Sequence, residues 1–163
     1  MVDTAQGSLH ERPADEQLWQ WLAEIPDPEI PVISVVDLGI VRAARWDQDT
    51  LVVTVTPTYT GCPATRVIND DIVAHLRLRG IADVRIERQL SPAWTTRWMT
   101  AKGREKLRAY GISPPVEAGL RVVACPRCAS VETERVSQFG STPCKAVFRC
   151  RSCLEPFDHF KCI

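Results

Sequence analysis

Residues 50–63 read Thr50-Leu51-Val52-Val53-Thr54-Val55-Thr56-Pro57-Thr58-Tyr59-Thr60-Gly61-Cys62-Pro63. The first seven alternate and are largely β-branched, as in a strand that packs one face against a core. Pro57 and Gly61 interrupt that pattern. Pro63 suits the first position of a helix, where the missing N–H would have no partner anyway. The stretch therefore reads as strand, loop and helix start, with Cys62 at or next to the N-cap. Unbonded backbone N–H groups and the positive end of the helix dipole gather there, and both favour the thiolate that binds metal or attacks. A second reading stays open, since a free cysteine often serves as a small packing residue in a strand–helix corner.

Upstream, a helix is expected over about residues 14–25, with Leu18, Leu22 and Ile25 on one face and Pro26 stopping it. The run Pro26-Asp27-Pro28-Glu29-Ile30-Pro31 is stiff, poor in backbone donors, and carries two acids. Residues 33–36 and 40–46 read as extended, and Asp47-Gln48-Asp49 suits a hairpin turn into residues 50–56. Downstream, a helix should run from Pro63 to Arg79 and stop at Gly80. Residues 84–90 form a third strand and 100–110 a last helix. The order α-β-β-α-β-α predicts an α+β fold, a small sheet with helices packed against it. Trp94 and Trp98 read as hydrophobic cover on that sheet or as a docking anchor.

The composition divides near residue 112. All five tryptophans precede it and all four phenylalanines follow it. The sequence therefore predicts an α/β domain over 14–111, a linker over 112–119 and a separate unit over 120–163. Six of the seven cysteines belong to that last unit. Cys125-Pro126-Arg127-Cys128 and Cys150-Arg151-Ser152-Cys153 are two C-x-x-C knuckles separated by 21 residues, a spacing that suits four thiolates around one zinc ion. Residues 131–138 and 145–149 are expected to form a hairpin between them, giving a zinc ribbon too small to fold without its metal. Cys144, Cys162 and His159 remain as candidate additional ligands, alone or together with Cys62.

The chain carries 20 basic and 20 acidic side chains, so no general field draws it to nucleic acid or anionic lipid. The C-terminal unit, with seven basic and four acidic side chains, lacks the lysine and arginine stripe of a phosphate track. No apolar run approaches the ~20 residues of a membrane span. The polar first residues lack the apolar core of a secretory signal, so the expected compartment is the cytoplasm, where thiols stay reduced.

Three strings decide the comparison with known families: Asp27-Pro28-Glu29, Asp37-Leu38-Gly39 and Thr60-Gly61-Cys62-Pro63. In that order they resemble the iron–sulfur assembly domain of SufT-like proteins and of the PaaD family. The longer strings IPDPEIPVISVVDLGIVR, PTYTGCPAT, LSPAWTTRWMT, FGSTPCKAVFRC and EPFDHFKCI are closest to the PaaD family, accessory to the phenylacetyl-CoA epoxidase of aerobic phenylacetate degradation. The resemblance implies an iron–sulfur assembly fold, with Cys62 as the functional thiol in a pocket lined by Glu29, Asp37 and Thr60. It implies a factor that helps load iron or an iron–sulfur cluster into an oxygenase, with the diiron oxygenase or reductase subunits as partners. One thiol needs further ligands, supplied by Asp37 or Glu29 or by the same thiol of a second copy in a homo-oligomer. A non-catalytic structural subunit of the oxygenase complex is the alternative. An independent cysteine enzyme is disfavoured, because none of His10, His75 and His159 is placed to activate Cys62. The sequence has no G-x-x-x-x-G-K-[ST] run, so a nucleotide-driven step would need a partner.

Overall fold

The computed structural model describes residues 12–116 and 122–161. Helix α1 spans Asp15–Leu22 and buries Leu18 and Leu22, one turn apart, while Asp15 and Glu16 sit against the positive end of its dipole. Strands β1 (Val41–Asp47) and β2 (Thr50–Val55) form the expected antiparallel hairpin, and β3 (Val84–Arg88) adds parallel to β2. A parallel addition needs a crossover, which helix α2 (Ala64–Leu78) supplies. Its Ala64, Ile68, Ile72 and Leu76 repeat every four residues and are all buried, the stripe a helix needs to cover a sheet. β2 is the central strand, and Leu51 to Val55 are all buried.

Helix α3 (Ala101–Tyr110) begins where the Thr100 hydroxyl accepts the Gly103 N–H at 2.9 Å. Gly103, an unfavourable residue in a helix interior, is explained by packing: a Cβ there would lie 2.9 Å from the Asp37 carbonyl oxygen. Residues 33–36, expected to be extended, are a chain of turns instead. Only an isolated bridge joins Pro26 to Ser34. The Asp27 carboxylate accepts the N–H groups of Glu29 and Ile30 at 2.9 and 2.8 Å, and the Ser34 hydroxyl accepts that of Asp37 at 3.0 Å. Side chains thus satisfy the donors flanking the segment, and within it the Ile33 and Val35 N–H groups donate to the Ile30 and Ile25 carbonyls at 3.1 and 3.0 Å. Ile30, Ile33, Val35 and Leu38 of this loop are buried all the same, and burial without pairing gave the segment its strand-like composition.

The C-terminal unit is a four-stranded sheet in the order β4-β7-β6-β5, with β5 at Thr133–Ser137, β6 at Lys145–Cys150 and β7 at Pro156–Phe160. β7 had no counterpart in the sequence expectation. β4 (Ile112–Ser113), read above as the start of a linker, pairs in parallel with β7 and so ties the ribbon directly to the end of α3. The rest of that linker, from Glu117 onward, lies outside the described residues. Val123, Cys125, Cys150 and Phe157 form a small ribbon core. Phe160 and Cys144, from the other end of the ribbon, are buried in the core of the α/β unit. Among the described residues no helix is long and apolar enough to cross a membrane.

Candidate functional site: a two-thiol cavity and a cysteine tetrad

Cys62 lies one residue ahead of Pro63, the N-cap of α2. Its carbonyl oxygen accepts the Thr65 N–H at 3.2 Å and its own N–H donates to Tyr59 at 3.2 Å. The turn is thus closed by backbone. The half-buried thiol lines a cavity of about 20 Å³ together with Asp27, Glu29, Thr58, Cys144 and Phe160. Strand β2 carries the loop to one wall, the proline-rich turns supply the acids, and the ribbon closes the opposite side.

Burial pushes the Asp27 carboxyl up from its ordinary value, against the two backbone N–H groups that favour its charge. Burial also raises Glu29, and the neighbouring Asp27 adds to it. Burial pushes the Cys144 thiol up as well, opposed by the Thr142 hydroxyl at 3.0 Å from its sulfur. The phenol of Tyr59 is pushed up to about 12, by burial first and then by its nearness to Cys62. Thr65 Oγ1 and Asn69 Oδ1, both lining the cavity, are buried polar atoms with no protein partner. Unsatisfied groups of this kind are costly unless a ligand or water completes them.

Two residues expected in this pocket lie elsewhere. Asp37 turns away to accept from Thr100 Oγ1 at 2.9 Å and Lys106 Nζ at 2.6 Å. Burial raises its carboxyl, but Lys106 and Thr100 outweigh that and hold it below the ordinary value. Its role is to fix the start of α3 to the loop. Thr60 is exposed, and its carbonyl accepts from Arg88 at 2.9 Å. Thr58, two residues earlier and buried, lines the cavity instead. β2 ends at Val55, so the alternation that would have put residues 58 and 60 on one face no longer holds once the loop turns. Asp27 was visible as an acid beside Glu29, but its lining role was not legible.

The other cluster comprises Cys125, Cys128, Cys150 and Cys153, whose sulfur atoms all lie within 4.8 Å of one another. The Cys125–Cys153 and Cys128–Cys150 sulfur pairs are 3.7 and 3.5 Å apart. Four thiolates at ~2.3 Å from a tetrahedral ion stand ~3.8 Å apart, so the tetrad fits a metal ion. The Cys153 N–H directed at Cys150 Sγ at 3.5 Å draws that thiol down to about 6, which favours thiolate. His159 stands outside the tetrad: it is buried on β7 with its ring edge-on to Phe148 at 5.4 Å, and burial pushes its imidazole down. Cys162 lies outside the described residues.

A parallel-extended three-stranded sheet with a cysteine at its strand–helix corner, followed by a tetrathiol ribbon, defines an iron–sulfur assembly domain joined to a metal ribbon. Residues 15–87 match the family model described as iron-sulfur cluster assembly protein, and residues 114–161 that described as PaaD zinc beta ribbon domain. The crystal structure of a domain of unknown function (DUF59) from Bacillus anthracis superposes with a TM-score of 0.52 at 25% identity, over 56% of this chain and 89% of that one. An Fe-S protein maturation auxiliary factor of Bacillus subtilis (strain 168) is 32% identical over 97 residues, 58% of this chain and 86% of the relative. A protein of Escherichia coli (strain K12), provisionally named as a subunit of 1,2-phenylacetyl-CoA epoxidase, is 50% identical over 156 residues, 93% of this chain and 94% of the relative. The chain belongs to the PaaD family.

Proposed function

We propose that this chain is an accessory maturation factor of the multicomponent phenylacetyl-CoA epoxidase. It assists insertion of iron or an iron–sulfur cluster through Cys62 and has no catalytic activity of its own. The observation that carries the reading is the half-buried Cys62 thiol opening on a cavity beside two carboxylates, with no histidine in the lining to act as a base. The names of the curated relatives support it from both sides, one an epoxidase subunit and the other an iron–sulfur maturation factor. The tetrad holds structural zinc, which stitches the two knuckles together and takes no part in transfer. The clients are the diiron oxygenase or reductase subunits, in the cytoplasm.

The test compares wild type with Cys62→Ser and Cys125→Ser, purified without oxygen and analysed for metal. Cys62→Ser should fold, keep its zinc and leave the co-expressed oxygenase under-loaded with iron. Cys125→Ser should lose zinc and the ribbon fold. Full oxygenase loading with Cys62→Ser rejects the role of the thiol.

A second reading, a stable structural subunit, is favoured by one observation. Val131, Val136, Phe139 and Leu154 of the ribbon are all more than half exposed, an apolar surface that a permanent partner would cover. It requires stoichiometric co-purification with subunits that are already metallated.

A further inference from the structure

The two tryptophans of the string LSPAWTTRWMT have different surroundings. Trp94 is buried, and its indole N–H donates to the Leu38 carbonyl at 3.0 Å. It is cover for the core. Trp98 ends a short 3-10 turn (Thr96–Trp98), packs against the same core and is only half-buried. The Arg42 guanidinium lies over its ring, with Cζ 3.6 Å from the ring centroid, a stacking distance. Two local devices build this pair. Arg42 sits at a register shift between Val41 and Ala43, and a bulge of this kind re-aims a side chain. Gly39, with a φ of +73°, lets its loop approach the Trp98 backbone so closely that a Cβ would lie 2.4 Å from the carbonyl oxygen.

Among the described residues two arginines are half-buried, Arg104 and Arg42. Arg104 donates to the Pro115 and Thr96 carbonyls at 2.7 and 2.6 Å. Arg42 makes one long bond, from Nη1 to the Gly39 carbonyl at 3.4 Å. Its Nε and Nη2 have no acceptor among the described residues. That edge is the fork that meets a carboxylate with two parallel hydrogen bonds. Burial pulls the guanidinium down from its ordinary value, because water has been removed and no acid has replaced it. Arg97 and Lys102, one residue before and four after Trp98, are exposed and likewise have no acidic partner among the described residues.

Charge decides the class of occupant. Residues 88–110 carry six basic side chains and one acidic, whereas residues 13–37 carry six acidic and none basic. The acidic stretch ends two residues before Gly39, so a polyanion or an anionic bilayer extending beyond the basic surface meets repulsion. A short segment with one well-placed carboxylate does not. We propose that Arg42 on Trp98, flanked by Arg97 and Lys102, is a docking site for an acidic segment of a partner protein. An aspartate or glutamate carboxylate of that segment accepts from Arg42 Nε and Nη2, and an adjoining apolar side chain covers the indole. The site shares no residue with the Cys62 cavity, so it goes beyond the maturation reading and stands without it.

The probe is a fluorescein-labelled, glutamate-rich peptide with interspersed leucines, added to the full zinc-loaded chain. Binding is followed by anisotropy and by the Arg42 Nε–H signal in nitrogen-15 NMR, assigned through Arg42→Lys. Wild type should bind, the Arg42 signal should shift, and added salt should weaken the complex. Arg42→Lys keeps the charge but not the fork, and should weaken binding about tenfold. Trp98→Leu should also bind more weakly. Arg77→Gln, which removes an exposed charge on α2, should stay within about twofold. Cys62→Ser should bind as wild type does. Equal binding of the peptide with glutamine in place of glutamate, or an unmoved Arg42 signal, overturns the proposal. So does tighter binding, through Arg42, of a single-stranded oligonucleotide or of phosphatidylserine vesicles. Circular dichroism and melting separate lost contacts from lost fold, and the wild-type Arg42 signal decides the matter even where a variant does not fold.

Discussion

Truncating Phe160 should release the ribbon from the α/β unit without dismantling either. Its side chain is only 1% exposed, lies in the core of the α/β unit rather than that of the ribbon, and has its ring 6.1 Å from that of Trp94. On β7, Phe160 pairs with Lys145 at the start of β6, whereas Cys150 of the tetrad closes the far end of that strand. The lost contact is thus a strand's length from the metal site. Truncation of a buried phenylalanine costs about 3–5 kcal/mol. At about 1.4 kcal/mol per tenfold, even the lower figure enlarges the undocked fraction about 100-fold. Cys144, 5% exposed, reports that fraction, because a thiol reagent reaches it when the ribbon lifts. With reclosing faster than reaction, the labelling rate follows the open population. Residue-resolved mass spectrometry of alkylated Phe160→Ala should show Cys144 labelled about 100-fold faster than in wild type at unchanged zinc content. Phe160→Leu, which keeps most of the volume, should stay within about tenfold. Cys144 labelling within about twofold of wild type in Phe160→Ala would refute the claim that this ring holds the two units together.

Two further substitutions test the loop that carries the acids. Asp37→Asn removes the charge that Lys106 and Thr100 hold, and should cost about 1–2 kcal/mol near neutrality, the lower part of the range for charged hydrogen bonds because Lys106 is partly exposed. The folded Asp37 carboxyl lies below its unfolded value of 3.8. Its contribution is therefore complete above that value and disappears as pH falls through the folded one, so urea unfolding should show the two proteins converging in acid below about pH 4. Gly39→Ala should destabilise by about 2–5 kcal/mol, from left-handed backbone strain and overpacking together. Gly39 has a φ of +73°, and its added Cβ would lie 2.4 Å from the Trp98 carbonyl oxygen. An unchanged melting temperature would remove that contact from the account.

What the sequence disclosed was what local chemistry controls. Alternation in residues 50–55, the four-residue apolar repeat of α2 and the two knuckles each leave a periodic signature that needs no partner to be read. The α+β class and the tetrad followed from those. Tertiary direction left no such signature. Asp37 stands beside Leu38 and Gly39 as if it belonged to the pocket, yet Lys106, 69 residues downstream, takes its carboxylate. Thr60 and Thr58 differ only in which way the loop turns after β2. Residues 33–35 have strand composition because they are buried, while the Ile33 and Val35 N–H groups donate to the Ile30 and Ile25 carbonyls within a chain of turns rather than to a strand partner. Cys144 was visible as an unassigned thiol, and only the packing of β6 against the α/β unit puts it at Cys62.

The two thiol groups differ in how closely their donors are gathered. Four thiolates fill every position around a tetrahedral ion, and such closed sites hold zinc firmly enough to be part of the fold. The cavity offers two thiols and two carboxylates whose donors are set further apart. Burial raises Asp27, Glu29 and Cys144 above their ordinary values, whereas the Cys153 N–H draws the Cys150 thiol of the tetrad down. The ribbon joins the two sites mechanically, because the sheet anchored by the tetrad at one end of β6 presents Cys144 at the other.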